Sequence, residues 1–275
     1  EELAVAPKIG VVQKYGFITR NIDLAACAAR NVVVSTQRRR INVALSELAF
    51  AMMAGLGKHL FELNRVIDEK RLNEAGYTIR PYDKRYTGGS NFARIPKLRT
   101  MFGKTLGVIG FGEVGREIAR KAQAFEMKVI YTQRSRLSEA EENFYNARYV
   151  PLMELMAQSD YMTVNLPVTD QTKGILGPTE LRAAKQGSFL VNVSRPELID
   201  RAALFEAIDA GRLAGYGTDV WFERPARADD PVFNYKNIVV MPHTAIADRH
   251  NALDDIEEMF LKMSDALIKR DTLKG

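Results

Sequence analysis

The run Thr105-Leu106-Gly107-Val108-Ile109 leads directly into Gly110-Phe111-Gly112-Glu113-Val114-Gly115. The first five residues predict a buried strand, and Val114, Ile118, Ala122 and Phe125 recur at helical spacing behind the glycines. Bare backbone at Gly110 and Gly112 lets a pyrophosphate come close, while the first helical turn supplies N–H donors and positive potential. A glycine-rich turn that only packs a helix on a sheet is the plainer alternative. With strand, helix and a second strand in sequence, dinucleotide binding is expected, with contacts at Gly110, Phe111, Gly112, Glu113 and Val114.

Working outward, apolar runs at 128–131, 161–165, 188–193, 213–218 and 238–241 alternate with helical patterns, as in a doubly wound α/β fold with a parallel sheet. Asp200 is the expected N-cap of a helix that stops at Gly211. Upstream the pattern changes. Strands are expected at 8–12 and 31–34, then a long helix at 42–63, which together suggest a separate lobe. Residues 73–101, with Gly88-Gly89-Ser90, two prolines and many charges, are expected to form an irregular arm.

The second strand ends in Tyr131-Thr132-Gln133-Arg134-Ser135-Arg136. A carboxylate there would accept the ribose hydroxyls of NAD and repel a 2′-phosphate. This chain has Gln133 followed by arginines, so Gln133, Arg134 and Ser135 are expected to hold NADP, with NAD the alternative and a solvated basic loop the plain reading. Polar groups also follow the later strands: Asn165-Leu166-Pro167, Val193-Ser194-Arg195, Asp219 and His243-Thr244. Ligands of such sheets lie beyond the carboxyl ends of the strands. Reduction of a 2-oxo acid needs a cation for the carboxylate and carbonyl, and a proton donor for the alkoxide; Arg195 and His243 suit these tasks. His59 and His250 fall in helical stretches and are expected to be structural or exposed.

Composition narrows the alternatives. The chain has 275 residues, 46% of them hydrophobic, enough for two packed domains. The apolar stretch 43–56 is interrupted by Ser46 and Glu47 and falls short of a bilayer span, so no membrane segment is expected. The Glu1-Glu2 start reads as a fragment boundary, not a signal peptide. Cys27, the only cysteine, excludes a disulfide framework or thiolate metal cluster and suits a reducing cytoplasm. A net charge of +5 comes from 39 basic residues dispersed among 34 acidic ones, which argues against nucleic acid and fits a pocket for acids.

The ordered set Gly107–Gly115, Val191-Asn192-Val193-Ser194-Arg195, Gly211-Arg212-Leu213-Ala214-Gly215, Thr218-Asp219-Val220 and Met241-Pro242-His243 resembles the D-isomer-specific 2-hydroxyacid dehydrogenase family, from about Lys8 to Ile268. That family includes glycerate, glyoxylate/hydroxypyruvate, phosphoglycerate and formate dehydrogenases. The resemblance implies a Rossmann domain at 46–246, including the arm, and a smaller flavodoxin-like substrate domain, discontinuous at 1–45 and 247–275 and N-terminally incomplete. It also implies a homodimer, a catalytic Arg195, an acid/base at His243, a nicotinamide contact at Asp219, and a substrate loop at Tyr15, Gly16 and Phe17.

The chain departs from the family at two decisive points. Ile18 stands where the substrate loop usually has glycine, and Arg224 stands where the glutamate partner of the histidine usually precedes proline. Either Glu223 takes over as that partner, the favoured expectation, or Arg224 occupies the position. Arg38, within Gln37-Arg38-Arg39-Arg40, is a further candidate for a second negative charge on the substrate. The expected activity is hydride transfer between NADP(H) and a glyoxylate- or hydroxypyruvate-like acid. Alternatives are a formate-like dehydrogenase, suggested by Trp221-Phe222, and a catalytically silent dinucleotide sensor, suggested by Arg224.

Overall fold

The computed structural model describes residues 2–6, 8–79, 90–245 and 250–272; Gly88 and Gly89 of the expected arm lie outside them. Strands β1 (Val11–Tyr15) and β2 (Val33–Gln37) form a small parallel sheet. Strands β3 (Thr105–Ile109), β4 (Lys128–Thr132), β5 (Ala147–Tyr149), β6 (Tyr161–Val164), β7 (Ser188–Asn192), β8 (Leu213–Thr218) and β9 (Ile238–Val240) form a seven-stranded parallel sheet in the order β5-β4-β3-β6-β7-β8-β9. The chain winds outward from β3 to β5, then returns to β6 on the other side of β3. That reversal opens a crevice at the carboxyl ends of β3 and β6.

Alternation within the strands explains the two layers of helix. Val129 and Tyr131 face one core while Ile130 faces the other; Phe189 and Val191 oppose Leu190 in the same way. The first core is covered by the helices Arg40–Gly57 and Glu113–Ala124, with Phe50 and Phe125 stacked at 4.9 Å. The second is covered by Leu152–Gln158, Pro178–Ala183 and Arg201–Asp209. Asp200 caps the last of these by accepting from Ala203 N at 2.9 Å, as expected. Each fully buried Leu, Ile or Met, such as Met52 or Leu155, contributes roughly 1.5–3 kcal/mol.

The helix expected at 42–63 breaks where His59 takes φ +53°, and a short turn of helix, Leu60–Leu63, follows. Strands β1 and β2 begin two to three residues later than expected, so Tyr15 and Gln37 end them. Both residues reach Asp255 of the long helix His250–Thr272. Asp255 is fully buried. Its carboxylate accepts from Tyr15 Oη at 2.9 Å, Arg40 N at 3.1 Å and Arg40 Nη1 at 2.6 Å, while its carbonyl accepts from Gln37 Nε2 at 2.9 Å. Burial, then the bond to Asp255, raises the Tyr15 pKa, so the phenol remains a donor at neutral pH. Among the described residues, no helix is long and apolar enough to cross a membrane, and no three His, Cys, Asp or Glu are grouped to hold a metal ion.

A buried carboxylate that loses its donors, or donors that lose their carboxylate, cost several times an exposed pair. Asp255→Ala is expected to destabilise the small sheet by about 3 kcal/mol. Native-state hydrogen exchange over β1 and β2 should then accelerate by roughly two orders of magnitude, with β3 and β6 unchanged.

Candidate active site

Gly110 follows β3 with φ +93°, and a Cβ there would lie 2.7 Å from the Asn165 carbonyl oxygen. Only glycine fits between the ends of β3 and β6. Gly115 is held as closely, its missing Cβ leaving room for the Gly110 carbonyl. Gly112 differs: a Cβ there would meet nothing within 4 Å, so the loop opens outward at the N-cap of the helix Glu113–Ala124. Such an open backbone cradle fits a dinucleotide pyrophosphate. Beside it, Asn165 Nδ2 is buried with no partner among the described residues.

Several expected cofactor residues are oriented differently from one another. Phe111 is fully buried, 4.6 Å from the Tyr131 ring and 5.5 Å from Tyr145, and Val193 lies in the same core; each can meet a cofactor only through backbone. Val114, Leu166 and Gln133 are half-buried, whereas Pro167, Arg134, Ser135 and Thr244 are exposed. Gln133 Nε2 donates to Ser135 O at 2.6 Å. Arg136 is forked onto Glu142 at 2.9 and 2.7 Å, and Tyr131 Oη donates to the same carboxylate at 2.7 Å. The Arg136 hydrogen bonds hold the Glu142 carboxyl down to about 2, so this fork persists at any ordinary pH. Arg134 has no acid partner among the described residues.

The end of β7 is folded on itself and tied to the end of β6. Ser194 N donates to Asn192 Oδ1 at 2.9 Å, Ser194 Oγ to Val164 O at 3.0 Å, and Asn192 Nδ2 to Arg195 O at 2.8 Å. The Arg195 guanidinium is exposed, with one nitrogen 2.7 Å from Ser194 O. Asp219 is buried; its two oxygens accept from Thr244 N at 2.8 Å and Ala245 N at 2.9 Å. It therefore clamps the turn that carries His243, an exposed residue with φ +60°.

The histidine has an unexpected neighbour. Arg224 Nη1 lies 3.0 Å from His243 Nδ1. Glu223, the favoured expectation, is not that partner: it lines a cavity of about 370 Å³ with Trp221, Val232, Phe233, Met241 and His243, and its Oε2 is buried without a partner among the described residues. Arginine is a donor only, so Nδ1 must accept and the ring carries its hydrogen on Nε2.

In the small lobe, Tyr15 is engaged by Asp255, and Gly16 takes φ +124°. Glu113 Oε1 accepts from Phe17 N at 3.0 Å and Ile18 N at 3.3 Å, and Glu113 Oε2 accepts from Asn42 Nδ2 at 2.8 Å. Arg38 forks onto Glu117, which is fully buried, with Nε 2.6 Å from Oε1. Its charge is thereby matched within the protein rather than left for a substrate. Neither pairing is announced by any local pattern in the sequence.

Residues 51–245 match the model of the D-isomer specific 2-hydroxyacid dehydrogenase NAD binding domain. The chain belongs to that family. This family member is 31% identical to the glyoxylate reductase of Thermococcus litoralis over 264 residues, which are 95% of this chain and 75% of the relative. Among solved structures, a glyoxylate reductase from Paecilomyes thermophila is 29% identical with a TM-score of 0.63, covering 96% of this chain and 75% of that one. The holo D-mandelate dehydrogenase of Rhodotorula graminis, at 23% identity and TM-score 0.69 over 90% of this chain and 69% of that one, shares the fold. The chain is thus a 2-hydroxyacid dehydrogenase with a nicotinamide-binding domain.

The Arg224–His243 contact has a direct spectroscopic signature. Nitrogen-15 shifts of His243 are expected to show an unprotonated Nδ1 and a protonated Nε2 at neutral pH, and Arg224→Ala should mix the tautomers. A parent spectrum with both nitrogens protonated would exclude the contact in solution.

Proposed function

We propose that this dehydrogenase reduces a small 2-oxo acid of the glyoxylate or hydroxypyruvate kind with NADPH. The observation that carries the reading is the convergence of the Gly110–Gly112 cradle, Ser194-Arg195, Asp219 and the His243 turn at the carboxyl ends of adjacent strands. A bound nicotinamide supplies the hydride. The backbone from Gly110 to Val114 would hold its pyrophosphate, and Asn165, with its unpartnered amide, would face it from β6. Arg195 presents an exposed fork suited to the substrate carboxylate and to the carbonyl oxygen as negative charge develops. Asp219 acts as a positioning residue, fixing the His243 turn through Thr244 and Ala245.

Reduction also consumes one proton, delivered to the new alkoxide. With Arg224 on Nδ1, the ring has a single hydrogen on Nε2, and donating it calls for a second proton at Nδ1. Arg224 must then swing away, which its exposure permits. Proton uptake and departure of Arg224 are one event in this scheme.

The substrate side of the reading comprises Tyr15, Gly16 and Phe17, in a domain of residues 1–45 and 247–275 facing 46–246. Exposed Leu60, Phe61, Ile67, Phe92 and Phe102 support a homodimer, and the single buried thiol of Cys27 suits the cytoplasm. NADP is favoured over NAD because β4 is followed by Gln133 instead of an acid and by an Arg134 without an acid partner. One observation favours a second reading, a silent dinucleotide sensor: Nδ1 of His243 faces the Arg224 guanidinium at 3.0 Å instead of a carboxylate.

Glyoxylate and hydroxypyruvate should each oxidise NADPH, and Arg195→Gln should lower turnover about a hundred- to a thousandfold with cofactor affinity nearly unchanged. Tight NADPH binding with no turnover at any pH would select the sensor. Fluorescence titration should find NADPH bound at least about tenfold more tightly than NADH, a preference that Arg134→Ala removes and Arg136→Ala retains; equal affinities in the parent would remove the 2′-phosphate argument.

A further inference from the structure

Two consecutive backbone amides at the end of β1 converge on a single carboxylate oxygen, and that oxygen belongs to the chain itself. The carboxylate comes from Glu113, the first residue of the helix whose opening turn forms the phosphate cradle. Its other oxygen is held by Asn42 of the helix Arg40–Gly57. Gly16 makes the arrangement possible: a side chain there would occupy the place of Glu113 Oε1, and φ +124° turns the next amides toward it. Ile18 does not block this nest, because its contribution is an N–H and its side chain is not needed. The structure therefore holds a working carboxylate receptor on the substrate side of the cleft, filled by an internal carboxylate.

We propose that Glu113 is a built-in competitor that plugs the Phe17–Ile18 amide pair, and that a substrate carboxylate enters only by displacing it. The proposal rests on the 2-oxo acid reading above for the identity of the entering ligand. The plug makes Glu113 a specificity-determining residue. Each acid must match Glu113 as an acceptor for the amides before its remaining groups meet Arg195 and His243. Its apparent dissociation constant is the intrinsic one divided by the fraction of molecules in which the nest is vacant, so a filled nest weakens binding. Asn42 sets that fraction from the far side of the carboxylate, without touching the nest.

The test uses oxamate, a 2-oxo acid isostere with an amide in place of the reducible carbonyl, titrated calorimetrically into the full chain. Glu113→Ala should bind oxamate about tenfold more tightly than the parent, and Asn42→Ala should shift affinity in the same direction by less. The Phe17 and Ile18 amides, protected from hydrogen exchange in the parent, should exchange rapidly in Glu113→Ala and regain protection with oxamate. Because Asn42→Ala leaves both carboxylate and nest in place, it carries the test if Glu113→Ala does not fold. Equal or weaker oxamate binding in the variants, or binding that leaves those amides unprotected, overturns the proposal. Tighter oxamate binding without NADPH oxidation by any 2-oxo acid keeps the plug and removes the reductase reading. NADPH oxidation with unchanged oxamate affinity in the variants does the reverse.

Discussion

No side chain separates the Arg40–Gly57 helix from β8. A Cβ on Gly217 would lie 3.1 Å from Met52 Cβ, and one on Gly215 would lie 3.1 Å from Leu56 Cδ2. The helix can therefore rest on the sheet backbone, and its position fixes both ends of the cleft. At its start, Arg40 is tied to Asp255 and hence to the small sheet; two residues later, Asn42 reaches the Gly110–Gly112 loop through Glu113. A larger residue on that face of β8 would lift the helix and pull the Gly16–Ile18 loop away from Glu113.

Much of this architecture was legible because the large sheet is parallel and covered on both faces, so its strands are continuous apolar runs. Thr105–Ile109 and Leu213–Thr218 agree at both ends. Strand β5 was missed because three residues with an exposed Arg148 between them carry no period. The shift of β1 and β2 has a tertiary cause: Tyr15 and Gln37 are polar, yet they are held extended by one residue, Asp255, more than two hundred positions away. The strand-end residues were legible for a topological reason, since ligands gather where the strands stop. Their side-chain partners were not. Arg224 and His243 are 19 positions apart, Arg38 and Glu117 are 79, and Glu113 lies 95 positions from Ile18. No periodicity relates residues at such separations.

Several of the chain's cations are committed to particular acids. Arg116, largely buried, meets Glu141 at 2.7 Å and lies over the Tyr145 ring at 5.4 Å; Arg38 neutralises buried Glu117; Arg136 is fixed by Glu142. Exposed pairs of this kind add little stability, but a fully buried carboxylate such as Glu117 depends on its cation. After these matches, Arg134 and Arg195 remain exposed at the carboxyl edge of the sheet, where anionic groups would approach.

The anchoring of Tyr15 by Asp255 spans 240 positions of the chain. A ribosome adding roughly 5–20 residues per second would need about 10–50 s between making the two residues. Throughout that interval β1 and β2 lack the helix that carries Asp255, while β3 to β9 can already associate in sequence. The large sheet is thus free to fold during synthesis, whereas the small sheet gains its Asp255 anchor only once that residue has been made.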